Sequence, residues 1–197
     1  MPQLGRGFWC VVAIIATLAL GEATAQVPAQ PPASSDLARA QRLDELFALL
    51  KATKAESDGD EIVAAIWTLW LQSGNAEIDE AMQRAVLAMG GAPALALPIL
   101  DDIVARAPQW AEGWNKRATV LYLLGEHDRS LADIDRVLAL EPRHFGALAG
   151  IGLIRMDKGE NRLALAAFRR ALAINPFLKE RLGLMPALEK AIGEKPI

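Results

Sequence analysis

From Asp36 onward apolar residues recur at three-to-four spacing with charged residues between them, and no stretch alternates one-to-one as a half-buried strand would. Every element is therefore predicted to be a helix. The helices follow a fixed step. Pro108, Pro142 and Pro176 stand 34 residues apart, and so do Gly91, Gly125 and Gly159. Small residues at Ala96, Ser130 and Ala164 keep the same step, as do bulky ones at Leu100, Ile134 and Phe168. At this register the chain divides into 77–110, 111–144 and 145–178. A period of this length marks stacked helical hairpins, none of which can bury its apolar face alone.

The residue types explain the period. A first helix spans, for example, 111–124, and the Gly after it is expected to take the left-handed conformation that ends a helix. A second helix follows over 128–140, with Asp128 placed to cap its start and Pro142 to stop it. Ala118 and Gly152 on the first helices, and Ser130 and Ala164 on the second, allow close approach. Leu121, Ile134, Val137 and Leu138 fill the space between.

This pattern resembles the tetratricopeptide repeat (TPR). The matching features are Trp114, which the resemblance makes the repeat's own core residue, and Leu148 near the head of the first helix, Gly between helices, a small residue early in the second helix, a bulky one four later, and a closing Pro. The first repeat departs, with Glu80 in place of a large apolar residue and Pro98 inside its second helix, where a hydrogen bond is lost and a kink is expected. One period earlier, Leu46, Leu50, Ile62, Ile66 and Leu69 hold the apolar positions, so 37–76 reads as a divergent N-terminal helical pair. The segment 179–197, with Pro186 and mixed Lys, Glu and Leu, reads as a capping helix and tail. The resemblance implies an all-α fold, a right-handed α-solenoid of three clear TPR hairpins between those two ends.

The N-terminus follows a different pattern. Arg6 precedes an apolar run from Phe8 to Leu20, and Ala23 and Ala25 frame a small-residue cleavage site, so residues 1–25 read as a secretory signal peptide. The alternative is an uncut inner-membrane anchor over 8–20, although about 20 apolar residues are needed to span a bilayer. Cleavage removes Cys10, the single cysteine, and leaves the net charge at −3. That balance argues against nucleic acid as a partner. Residues 26–36 are Pro-rich and are expected to be a disordered linker. The expected location is periplasmic or secreted.

Catalytic chemistry is sparse. His127 and His144 both fall in turns and are expected to be structural, and Asp101, Asp102, Asp133 and Asp135 are expected to be solvated. No nucleophile, metal-ligand or phosphate-loop motif is present, so no enzyme activity, metal or cofactor is expected. The resemblance implies that first helices line a concave groove. It assigns Ile78, Ala81, Ala85 and Ala88 there, then Glu112, Asn115, Thr119 and Tyr122, then Gly146, Ala149, Leu153 and Met156. The partner-binding set proper is Glu112, Asn115, Thr119, Tyr122, Ala149, Leu153 and Met156. These residues suit an apolar strip or amphipathic helix of a protein partner better than a terminal carboxylate. The alternative is that the protein's own N-terminal helix or tether covers part of the groove. A second surface is expected at Trp67 and Trp70, which with Val63 form an extra apolar stripe that is either sandwiched or offered to a partner. The function implied is a non-catalytic scaffold or adaptor in the cell envelope. The alternative is an accessory subunit of an envelope enzyme or assembly machinery.

Overall fold

A computed structural model of the chain describes residues 34–179 and 183–193. The expected signal peptide, most of the Pro-rich stretch after it and the tail from 194 lie outside the described residues. The elements are α1 (Ser34–Ala52), α2 (Glu56–Trp70), α3 (Ala76–Met89), α4 (Pro93–Arg106), α5 (Ala111–Leu123), α6 (His127–Leu140), α7 (Phe145–Asp157), α8 (Asn161–Ile174) and α9 (Leu184–Ile192). Among the described residues there is no strand, and no helix is long and apolar enough to cross a membrane. Helix α1 starts inside the stretch expected to be linker. Asp36 lies in its first turn, where the helix dipole favours an anion, and pairs with Arg39 at 2.7 Å.

Helices α3/α4, α5/α6 and α7/α8 form the three hairpins. Gly125 and Gly159 take φ of 76° and 72°. The amides of Glu126 and Gly125 donate back to Leu121 O and Tyr122 O, and Glu160 and Gly159 repeat this on Arg155 O and Met156 O. These paired bonds satisfy carbonyls that the helix end would leave open. Gly91 does not follow the expectation, because α3 ends through Gly90 at φ −70° and the amides of Gly90 and Gly91 bond back to Leu87 O and Ala88 O. Asp128 does not cap α6 either. Its carboxylate is taken by Lys158 at 2.6 Å. Pro98 lies in α4 without ending it; Pro98 and Ala94, whose carbonyl loses its donor, are both exposed.

Within hairpins the small residues do what their size predicts. A Cβ on Gly152 would lie 2.6 Å from the Phe168 ring, and Ser130 Oγ donates to Ala118 O at 2.7 Å. Helix α9 closes the last hairpin with Met185 and Leu188 on Ala164, Leu165 and Phe168.

The N-terminal pair is helical but is not a further repeat stacked ahead of α3. It lies across the junctions between the later hairpins. Gly59 sits under the Phe177 ring, where any side chain would collide, and Trp67 covers Gly146, whose absent Cβ would be 2.8 Å away. Trp70 stacks on His144 at 4.1 Å and 9°, and Trp110 Nε1 donates to Trp70 O at 2.8 Å. Leu43, Leu46 and Leu50 share a core with Leu148, Ala171 and Phe177. Ion pairs Arg143–Asp44 (2.7 Å) and Lys179–Asp60 (3.1 Å) hold the edges. The extra apolar stripe on α2 explains this placement, since the junctions offer it aromatic neighbours in His144 and Phe145.

Candidate functional site

Between α2, α5 and α7 lies a cleft of about 360 Å³. Helix α5 contributes Asn115, Thr119 and Tyr122. Helix α7 contributes Gly146, Ala149, Gly150 and Leu153, and α2 contributes Asp60, Val63 and Trp67. Asn175, Phe177 and Lys179 complete the rim. The α7 side is built of small residues, and the Trp67 ring over Gly146 and Ile134 beside Gly150 take the space their missing side chains leave.

Five residues of the predicted groove set meet in this cleft: Asn115, Thr119, Tyr122, Ala149 and Leu153. Thr119 is exposed and its Oγ1 donates to Asn115 O at 2.9 Å. Tyr122 stacks on His127 at 5.7 Å. Burial, and then the hydrogen bond and charge of Asp157, push its phenol above the usual value.

Glu112 does not face the cleft. It is fully buried, with Oε2 accepting from Asn115 Nδ2 at 3.0 Å and from His144 Nε2 at 3.1 Å, and Oε1 lying 2.7 Å from Lys116 Nζ. Burial alone would raise its carboxyl; the hydrogen bond from His144 and the charge of Lys116 outweigh burial and hold it below the ordinary glutamate value. Lys116 also lies over the Trp67 ring at 5.3 Å. Ala147 N–H donates to His144 Nδ1 at 3.1 Å, capping α7, so the ring proton sits on Nε2 and goes to Glu112. A sequence signal for this existed. Position 144 is one period from Trp110 and from Leu178, so a His there occupies a slot the other repeats fill with apolar bulk.

The same network orients Asn115, which is 7% exposed. A carboxylate only accepts, so the side-chain NH₂ must face Glu112, and the carbonyl oxygen is left toward the cleft. Met156 is outside the cleft, part-buried in the core that α9 closes. Trp70 is core rather than surface, because its ring is spent on His144, Phe145 and Phe47. Ile78, Ala81 and Ala85 likewise leave the predicted groove for the core shared with α4. Trp114, expected in the core, is only part-buried. Its Nε1 donates to Pro108 O at 3.0 Å and Arg117 stacks on its ring.

Chemically the cleft offers apolar walls, a floor of small residues and one oriented acceptor. Ser130, at its edge, spends its hydroxyl on Ala118 O. Among the described residues no group of three or more His, Cys, Asp or Glu is placed to hold a metal.

No protein-family model matches the chain. A TPR repeat-containing protein of Rhizobium etli is 42% identical over 138 residues, which is 69% of this chain and 67% of that protein. Superkiller complex protein 3 of Homo sapiens is 24% identical over 127 residues, 62% of this chain and 8% of that protein's length. Among solved structures, MamA superposes with a TM-score of 0.54 at 16% identity, covering 78% of this chain and 84% of MamA. The TPR domain of P58(IPK) superposes with a TM-score of 0.51 at 20% identity, covering 79% of this chain and 46% of that one. At such identities the two structures speak to the fold alone. The 34-residue step, the stacked hairpins that realise it and the identity to the Rhizobium protein agree: the chain belongs to the tetratricopeptide repeat-containing proteins.

Proposed function

We propose that this protein is a non-catalytic adaptor, exported to the cell envelope, that holds an extended segment of a partner protein in the cleft between α2, α5 and α7. Tetratricopeptide arrays are scaffolds for protein–protein interaction and generally do not catalyse. The observation that carries the reading is the cleft itself, in which Asn115, Thr119, Tyr122, Ala149 and Leu153 converge under Trp67. An extended segment suits it better than the amphipathic helix expected from the sequence. A helix with side chains is about 10–12 Å across, and α2 already occupies that side of the groove. A strand-like segment runs beside Trp67, donates an N–H to Asn115 Oδ1 and sets an apolar side chain beside Leu153. Envelope location is supported by the apolar run Phe8 to Leu20 and the Ala23/Ala25 site.

The test replaces two cleft residues together, Tyr122→Ala with Leu153→Ala, and compares partner capture from envelope extracts with unaltered protein and with Arg162→Ala on exposed α8 surface. Loss of a captured set in the double variant alone, with helicity by circular dichroism unchanged, supports the reading. Equal capture by all three overturns it.

A further inference from the structure

Each hairpin presents the same positions to the hairpin before it. Val120 on α5 is fully buried in the core shared with α3 and α4, and Ile154 on α7, one period later, is fully buried in the core shared with α6. Gly113 behaves alike: a Cβ there would be 3.1 Å from Ile103 of α4. One period earlier this face belongs to α3, and there it is bare. Val86, the counterpart of Val120, is 45% exposed, and Leu87 beside it is 80% exposed. With Leu71 and Met82 they line a groove of about 590 Å³. The cause is the placement of α1–α2. As an in-line repeat that pair would cover α3; lying across the later junctions, it does not.

We propose that this face receives one amphipathic helix of a partner protein, stacked on α3 as α4 stacks on α5 and α6 on α7. The bare face continues an interface that the molecule already uses twice, and those two uses define the occupant's chemistry. It is a helix with a branched aliphatic ridge, as α4 supplies with Ile103 and Val104 and α6 with Ile134 and Val137. Charge is not required of it at the boundary. Arg117 on α5 reaches Asp101 on α4 at 3.0 Å, but its counterpart on α3 is the uncharged Gln83. Leu95 and Leu163, two periods apart on second helices and 66% and 53% exposed, line neither this groove nor the cleft, so Leu95 serves as a control.

The probe is a fluorescent peptide of α6, residues 127–140, stapled across the exposed positions Asp128 and Ala132 because an isolated helix this short is marginal in water. Fluorescence anisotropy is expected to show saturable binding. Val86→Asp with Leu87→Asp, both on exposed positions, is expected to weaken it about tenfold or more. Leu95→Asp, and the Tyr122→Ala/Leu153→Ala pair, are expected to leave it unchanged. No binding, or binding indifferent to the α3 substitutions, overturns the proposal. Loss on the cleft substitutions instead places the helix in the cleft and also overturns it. If sedimentation shows the protein alone to be a dimer that the α3 substitutions dissociate, the occupant is a second copy and the partner helix is excluded. Apart from loss on the cleft substitutions, these outcomes leave capture by the cleft untouched, and that capture is measured separately.

Discussion

An imidazole with one proton has one nitrogen that accepts and one that donates, and His144 uses both, capping α7 with Nδ1 and bonding Glu112 with Nε2. Glu112 in turn orients Asn115 and is neutralised by Lys116. Because the folded environment lowers the Glu112 carboxyl below its unfolded value, its contribution to stability is complete above the ordinary glutamate range, near pH 4.3 to ~5, and is lost as pH falls through the lower folded value. Denaturant unfolding of the unaltered protein and of Glu112→Gln should therefore show a stability gap that is full at neutral pH and narrows in acid. A gap constant with pH would show that the carboxylate's charge is not what the site uses. The register placed Glu112 on the inner face of its helix, but a register cannot tell open groove from a face that another element has covered.

Helix α2 decides that difference. Its residues Ile66 and Trp70 are buried and Trp67 is part-buried, because both apolar stripes find neighbours, one in α1 and one in the junction rings. Trp70 is the pin: its ring stacks on His144 and its carbonyl receives Trp110. Removing it as Trp70→Ala should cost roughly 3–5 kcal/mol, and hydrogen exchange should quicken first in α1 and α2. Trp114→Ala should cost less and leave exchange in α2 unchanged, since that ring is part-exposed against Arg117. Equal losses for the two variants would contradict the placement of α1–α2. From sequence, Trp114 carried the family's helix-head position and so was expected in the core, whereas the doubled stripe of α2 was read as either sandwiched or exposed. Only the packing partners separate those two readings.

At the scale of the whole molecule, the adaptor we propose has two separate faces, a partly open cleft for an extended segment and a bare end face for a helix. Export is a proposal of the same scale. If the signal peptide is cut after Ala25, the exported protein begins at Gln26, which N-terminal sequencing or intact mass would establish; a Met1 form retained in membranes would favour an anchor over 8–20 instead.

The all-helical fold and the hairpin boundaries were legible because they rest on local rules: apolar spacing sets helices, Gly125 and Gly159 end them, Pro142 and Pro176 separate them, and a 34-residue step repeats the arrangement. Five cleft residues were legible for the same reason, since spacing along one helix determines which side chains share a face. Where α1–α2 would lie was not. Its position depends on contacts more than 70 residues away in sequence, Gly59 with Phe177 and Trp70 with His144, and periodicity carries no information about such pairs. That one tertiary choice buried Glu112 and Trp70, roofed the cleft with Trp67 and left Val86 and Leu87 bare, because a single amphipathic hairpin can cover the junctions or the end of the array but not both.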